Sequence, residues 1–336
     1  MADHYQALVC THWGHWSELV LQTLQRPALL PGQVRIRVRH AGIGFALSLF
    51  VAGTYQRRPP LPFTPGTEVA GEILEAAPDV AHLRPGQRVI AALDWGALAQ
   101  EAVASAHTVY ALPDAVPLAV AAALPITYAT AWSALQWAGR LRPGDNLLVH
   151  GASGGLGMAA VQIASHLGAR VIATASTGEK RLAALAHGAA HALPSDPARL
   201  AQAVKDLCPA GGVQLVFDPV GGDLFDASLR CAAPDARLLV IGFASGRIPQ
   251  IPANLLLVKN LAVRGFNYGR YIGWGLTDER AEHAGAVQDM VGQITSAVAS
   301  GAIAPPRTRH FALAQWLQAI DTTMSRRAVG KVILDF

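Results

Sequence analysis

The stretch Asn146 to Ala173, NLLVHGASGGLGMAAVQIASHLGARVIA, constrains the fold more than any other part of the chain. It opens with Leu147-Leu148-Val149, an apolar run long enough for a buried strand. Gly151, Gly154, Gly155 and Gly157 then crowd one turn. An apolar helical pattern runs through Val161 and Ile163 to Leu167 and stops at Gly168. A second apolar run, Val171-Ile172-Ala173, closes the segment. Strand, glycine turn, helix and strand in about thirty residues are the βαβ unit of a dinucleotide-binding domain. The glycines have a chemical reason. A pyrophosphate lies against backbone N–H groups at a helix N-terminus, where the helix dipole favours negative charge. A Cβ in that turn holds the phosphates away. The G-x-x-G-x-x-G spacing also suits an ordinary tight turn, and the flanking strands and helix favour the nucleotide. The candidate cradle is Gly151, Ser153, Gly154, Gly155, Leu156 and Gly157.

The end of the second strand bears on which dinucleotide binds. Sites that prefer NAD place Asp or Glu about twenty residues on, against the ribose 2′-hydroxyl. Here the segment reads Ala175-Ser176-Thr177-Gly178-Glu179-Lys180-Arg181. Neither Ala175 nor Ser176 is acidic, and Lys180 and Arg181 follow within one helical turn. NADPH is therefore the expected cofactor, its 2′-phosphate received by Ser176, Thr177, Lys180 and Arg181. The alternative for the two cations is a solvated helix face. Glu179, the nearest acid, would blur the preference.

With 336 residues the chain is long enough for two domains with full cores. Apolar residues make up 51% and charged residues 15%, as in a globular enzyme rather than a disordered chain. A net charge of +4 with no polybasic run argues against nucleic-acid binding. Cys10, Cys208 and Cys231 show no C-x-x-C pairing, which argues against a disulfide framework and a zinc-binding cysteine cluster. No signal sequence is visible, since His4 and Glu18 interrupt any apolar core. The apolar region from Ala115 to Ala138 is broken by Pro117 and Pro125. A cytoplasmic protein without a membrane segment is expected.

Taken in order, the chain begins with strands. Val34 to His40 alternates, with apolar residues at 34, 36 and 38. Val69–Ala76, Val89–Ala91 and Ala102–Val109 read as further strands, punctuated by Pro/Gly turns, so a compact β-rich domain ends near residue 120. Ala129–Ala138 reads as a helix. After the glycine unit, helices at Lys180–Ala186 and Ala198–Leu207 alternate with strands at Val213–Phe217, Leu238–Ile241 and Leu261–Val263. That alternation predicts a parallel, doubly wound sheet. Thr277 is the expected cap of a helix running to about Ser300, with Asp278 and Glu279 in its first turn. A helix at Ala314–Thr322 and a strand at Lys331–Phe336 end the chain. This tail is too short to stand alone and is expected to complete the N-terminal β domain.

The residues carry a resemblance over nearly the whole length. They include Ala7-Leu-Val-Cys10, Pro65-Gly-Thr-Glu-Val-Ala-Gly71, Ala122-Ala-Ala-Leu-Pro125 and His150 to Gly157. They continue through Phe217 to Gly222, Ile241 to Gly246, Ile251-Pro-Ala-Asn-Leu255 and Gly330-Lys-Val332. Together these resemble the zinc-independent medium-chain dehydrogenase/reductases, in their NADPH:quinone reductase branch. The resemblance implies an α/β chain of two domains. One is a GroES-like β-rich catalytic domain over 1–122, completed by 266–336. The other is a Rossmann NADPH-binding domain with a doubly wound parallel sheet over 123–265. It further implies an active site in the cleft between the two, and a homodimer, with a tetramer as the alternative.

Zinc-dependent relatives carry a G-H-E motif. The matching stretch is Gly66-Thr67-Glu68, and no cysteine falls near Gly42 to Leu47, so no metal is expected. Within the branch, G-V-N-F-x-D is matched by Gly42-Ile43-Gly44-Phe45-Ala46-Leu47, which removes two polar groups. A tyrosine that often contacts the adenine ribose phosphate is matched by about Ser195. The resemblance places Thr127, Phe243, Ala244, Ser245, Phe266, Asn267 and Tyr268 beside the nicotinamide. Lys331 is expected either to reach the cofactor or to be a satisfied surface lysine.

Tyr55 is the candidate for lining the substrate pocket, by stacking or hydrogen bonding. Hydride transfer needs position and a dry pocket more than acid–base groups. The expected reaction is NADPH-dependent reduction of quinones or similar electron-poor conjugated carbonyls. One alternative is an enoyl- or acryloyl-CoA-type thioester reductase, with Arg57 and Arg58 as a basic rim. Another is an NADPH-binding sensor with little turnover.

Overall fold

The computed structural model describes residues 3–209 and 211–336. They form two compact units. One holds the chain up to Ile126 together with 269–301 and 305–336. The other holds 127–268 and 302–304. The sequence-based boundaries at 122/123 and 265/266 lie a few residues before the switches at 126/127 and 268/269.

The first unit opens with an antiparallel pair, β1 (His4–Val9) and β2 (Val20–Gln25). It continues with β3 (Gln33–Ile43), the short helix α1 (Ala46–Val51), β4 (Glu68–Ala76) and β5 (Arg88–Ala92). The single strand expected at Ala102–Val109 is in fact two. A 3₁₀ turn at Ala106–Thr108 separates β6 (Glu101–Ser105), paired with β3, from β7 (Val109–Ala111), paired with β5. Thr108 holds the turn by donating to the Ala92 carbonyl at 2.7 Å. Small residues keep alternating through the turn, so the pattern carries no sign of the break. A one-turn helix, α2 (Leu118–Ala121), leads out of this part.

Helical turns of mixed width lead into the second unit. Its α3 (Ala129–Ser133) is flanked by π-type turns at Leu124–Tyr128 and Ala134–Ala138, so the regular helix expected at Ala129–Ala138 is widened at its end. Gly139 explains why. Its N–H reaches back to the Ala134 carbonyl at 2.7 Å, and a Cβ there would meet a Leu215 methyl at 2.9 Å. There follow β8 (Asn146–Val149), α4 (Gly155–His166), β9 (Arg170–Ala175), α5 (Gly178–Ala186) and β10 (His191–Pro194). The second half holds α6 (Pro197–Leu207), β11 (Val213–Asp218), α7 (Gly222–Cys231), β12 (Ala232–Val240), α8 (Ala253–Lys259) and β13 (Ala262–Gly265). The six strands are all parallel, in the order β10-β9-β8-β11-β12-β13. That is the doubly wound Rossmann order, reversing at β8. Leu148, Ile172, Val216 and Leu238 from four strands are fully buried in one core with Val204 and Phe225 from the helices. Burial of this kind on both sheet faces is why the strands read as continuous apolar runs.

The tail returns to the first unit with α9 (Arg280–Ala299), β14 (Thr308–Ala312), α10 (Trp316–Met324) and β15 (Lys331–Asp335). Thr277 does not cap α9. Its hydroxyl donates to the Glu279 carboxylate, and Asp278 accepts the Arg280 N–H at 3.1 Å. β15 lies between β14 and β3 in a sheet ordered β14-β15-β3-β4-β5-β7. Among the described residues, no helix is long and apolar enough to cross a membrane.

Candidate functional site

Strand register in the second unit aligns the ends of all six strands. Pro194 pairs with Ala175, Ala173 with Val149, Val149 with Phe217, Asp218 with Val240, and Val240 with Gly265. The segments that follow therefore share the carboxyl edge of the sheet, where open α/β sheets bind ligands. Those segments carry Gly151–Gly157, Ser176–Arg181, Ser195, Phe243–Ser245 and Phe266–Tyr268. They are tied to one another. Ala152 N–H donates to the Thr174 carbonyl at 3.1 Å, and Ser195 N–H to the Ala175 carbonyl at 3.3 Å. Ala244 and Ser245 N–H groups donate to Pro219 and Val220 carbonyls at 3.1 and 2.9 Å. Phe266 and Tyr268 are buried, whereas Phe243, Ser245 and Asn267 are exposed.

The glycine turn is built to present backbone. Gly151 adopts φ +60°, a conformation that favours glycine. A Cβ at Gly157 would lie 2.2 Å from the Gly151 carbonyl oxygen, so the chain itself demands glycine there. Gly154 differs. It caps α4 with φ −77°, and a Cβ would meet only the Gly151 carbonyl, at 3.6 Å. Nothing in the fold forbids a side chain at Gly154, so the turn has room there for a group that approaches from outside. α4 has no side-chain cap and no acidic residue in its first turn. Its terminal N–H groups and dipole suit a pyrophosphate. Ser153 is buried within the turn.

Beneath this turn a neutral polar network fixes the strand ends. His150 is fully buried. Ser228 donates its hydroxyl to the Leu224 carbonyl at 2.8 Å, so it accepts from His150 Nε2 at 2.7 Å. Nδ1, at 2.9 Å, then accepts from Thr174. Burial holds the His150 pKa below its ordinary value, with Asp218 opposing the shift. Asp218 accepts from Val220 and Gly221 N–H groups at 2.8 and 2.9 Å, which shapes the next loop.

At the end of β9, Ser176 is exposed and Ala175 is buried. Thr177 caps α5 by accepting the Lys180 N–H at 3.3 Å. Its hydroxyl thus has a structural task beside its expected role. Arg181 donates to the Ala175 carbonyl at 3.3 Å, which keeps its guanidinium at the strand end. Lys180 and Arg181 are half-buried, not a freely solvated face. The site accordingly offers two cations and a serine hydroxyl with no carboxylate at positions 175 or 176. This donor set fits a ribose 2′-phosphate.

The first unit contributes a second constellation. Lys331, at the start of β15, forms an ion pair with Glu68, at the start of β4. Their side chains are only 8% and 2% exposed, so Lys331 is not the surface lysine the sequence allowed. Gly42 and Gly44, on and beside β3, frame the pair. A Cβ at Gly42 would lie 2.7 Å from the Glu68 carboxylate, and one at Gly44 3.6 Å from Lys331 Nζ. Nothing in the sequence singled out Glu68. Its only signal was its place after Thr67 in the motif whose histidine is missing.

Tyr55 follows α1, its N–H on the Leu49 carbonyl at 3.1 Å and its ring 4.3 Å from Phe50. Burial raises its phenol pKa, with Arg57 opposing, so the hydroxyl stays protonated at neutral pH. Trp274 meets Phe50 edge-on at 6.5 Å. Arg57 is already engaged, bound to Asp94 at 2.8 Å and lying 5.7 Å over the Trp95 ring. Arg58 is exposed. Thr127 is buried in the first π-type turn of the second unit.

Two family models match. One described as an alcohol dehydrogenase GroES-like domain covers residues 30–114, and one described as a zinc-binding dehydrogenase covers 155–285. A rat "quinone oxidoreductase-like protein 2" is 36% identical over 332 residues, 98% of this chain and 92% of that protein. The chain belongs to the medium-chain dehydrogenase/reductases, in their quinone oxidoreductase branch. A mycobacterial member of known structure, solved as a complex with NADPH, is 30% identical with a TM-score of 0.89. The match covers 99% of this chain and 100% of that one. This medium-chain reductase is also similar to part of a Streptomyces venezuelae pikromycin polyketide synthase component. That likeness is 39% identity over 222 residues, 66% of this chain and 6% of the synthase. The first unit is accordingly a GroES-like domain and the second a Rossmann domain.

Proposed function

We propose that this oxidoreductase uses NADPH to reduce quinones or similar electron-poor conjugated carbonyls. The observation that carries the cofactor is the carboxyl edge of the Rossmann sheet. There an open glycine, Gly154, stands at the N-terminus of α4, which has no side-chain cap, and Lys180, Arg181 and Ser176 stand where an NAD site has an acid. NADPH, once bound, supplies the hydride. A quinone takes up that hydride and one proton to become the hydroquinone. The chain's part is to bind, orient and exclude water. Gly151–Gly157 receive the pyrophosphate, Ser176 to Arg181 and Ser195 the adenine-ribose end. Thr127, Phe243–Ser245 and Phe266–Tyr268 flank the nicotinamide. Tyr55, kept protonated by burial, stacks on the acceptor or donates a hydrogen bond to its carbonyl.

The reaction proceeds without a metal in this reading. Thr67 offers no imidazole, and the neighbouring Glu68 carboxylate is neutralised by Lys331. The three cysteines are buried free thiols, in keeping with a cytoplasmic enzyme. A homodimer is supported by β13. It is the edge strand of its sheet, and Leu257 and Val258 of the preceding α8 are 79% and 80% exposed.

A thioester reductase is the second reading, favoured by the likeness to a polyketide synthase segment. Against a CoA thioester stands Arg57, which Asp94 already holds. The deciding experiment is NADPH oxidation, with NADH in parallel, against a quinone panel and crotonyl-CoA. Turnover with a quinone and NADPH is the expected outcome, with Lys180→Ala weakening NADPH about tenfold and leaving NADH unchanged. Turnover on the thioester alone moves the function to the second reading. Tight NADPH binding without turnover means a sensor.

A further inference from the structure

At the far end of β15 from Lys331, three side chains converge that the reaction does not use. Asp335 on β15 stands opposite His40 on β3, and His310 comes from β14 on the other side. His40 Nδ1 is 2.7 Å from Asp335 Oδ1. His310 Nδ1 is 2.9 Å from the same oxygen and 3.2 Å from Oδ2. The rings meet edge-on at 5.7 Å, and one donor atom from each residue falls within 4.8 Å of the others. We propose that His40, His310 and Asp335 form a binding site for a divalent transition-metal ion, zinc first among them, separate from the cofactor and substrate residues.

Two imidazoles and one carboxylate are a donor set for zinc and its neighbours, whereas calcium and magnesium want oxygen ligands. Metal–ligand bonds of about 2.0–2.2 Å set donors about 3–3.5 Å apart, so the two His–Asp contacts open by only a few tenths of an ångström. His310 carries a further mark of a ligand. Its Nε2 lies 3.0 Å from Thr308 Oγ1. When Nδ1 gives up its proton to bind metal, Nε2 carries the hydrogen and donates it to that hydroxyl. This is the outer contact that fixes the tautomer of metal-binding histidines. The side chains are 21%, 31% and 36% exposed, so water completes the fourth position. The neighbouring cations are turned away by strand alternation. Arg39 is held by Glu72 at 3.1 Å, and Arg309 lies over the Phe311 ring at 5.2 Å.

The test uses the untagged full chain, titrated with zinc against a chromophoric chelator, and with cobalt for its visible absorption. We expect one ion per chain, bound tighter than about 100 μM, with the cobalt bands of a nitrogen- and oxygen-ligated site. His310→Gln and His40→Gln each weaken binding at least tenfold. Both keep a side chain that hydrogen-bonds Asp335, and circular dichroism checks that they fold. His12→Gln, which removes a histidine whose ring pairs with Glu18 and Thr11, leaves binding unchanged. The proposal is overturned if the wild-type chain binds no ion in that range. It is equally overturned if both glutamine variants bind as the wild type does, since the ions are then adventitious and the three residues only a hydrogen-bonded clasp.

Discussion

A side chain added at Gly154 would meet only a carbonyl at 3.6 Å, whereas one added at Gly42 would strike the Glu68 carboxylate at 2.7 Å. The two glycines stand at two polar corners, one in each unit, and their surroundings are opposite. In the Rossmann unit the turn leaves space for a group the chain does not own, and α4 offers it unsatisfied N–H groups. In the GroES-like unit the space is filled from within, by a carboxylate whose charge Lys331 already balances. An open corner costs little stability and waits for a ligand. A filled corner holds two desolvated charges, each dependent on the other.

The sharpest way to break this contrast is at the filled corner. Glu68→Gln leaves the Lys331 ammonium buried beside an amide. We expect a loss of about 3 kcal/mol in urea unfolding, regained in large part by the double change Glu68→Gln/Lys331→Met. Equal stability of wild type and Glu68→Gln would show that the pair is not needed for folding. The open corner should respond in the other currency. Gly154→Ala is expected to keep unfolding free energy within about 0.5 kcal/mol while weakening NADPH by about tenfold or more. Gly157→Ala should lose both, because its Cβ meets the Gly151 carbonyl. Calorimetric titration with NADPH separates the two. If Gly154→Ala binds normally, the cofactor does not approach that residue.

A smaller effect lies under the open corner, where the polar network is neutral. His150 has a folded pKa below its ordinary 6.5, through burial. The unfolded chain therefore takes up a proton that the folded one refuses. The stability that neutral His150 contributes is present above about pH 6.5 and declines as the pH falls below it, by at most about 1.4 kcal/mol per unit. His150→Gln should flatten that part of the profile, measured by unfolding at pH 7.5 and 5.5. Parallel profiles would mean that the imidazole takes up its proton as readily in the fold as in the unfolded chain.

The open corner was legible in the sequence because all its parts are contiguous. Strand, glycines, helix and second strand follow one another, and each has its own local signature. The cations at Lys180 and Arg181 belong to the same run. The filled corner was not legible. Glu68 and Lys331 come from opposite ends of the chain, and only the β4–β3–β15 pairing joins them. The His40, His310 and Asp335 group is invisible for the same reason. The local misses are of another kind. Residues 102–109 alternate through a turn, and alternation cannot tell a strand from two strands in step. Thr277 looked like a cap, but Glu279 takes its hydroxyl and stands at the cap position itself, while Asp278 accepts the Arg280 N–H. Arg57 read as a free cation because Asp94 lies too far along the chain to be matched to it.

The place of β15 in its sheet bears on how the protein is made. β3 finds β4 and β6 soon after they leave the ribosome, but its His40–Ile43 edge pairs with β15. The entire Rossmann unit is synthesised in between. Until then a stretch of strand with exposed N–H and C=O groups stays available to other chains. Premature termination shortly before Lys331 would therefore remove an interior strand and the partner of Glu68, leaving a nascent chain prone to aggregate rather than a slightly shortened enzyme.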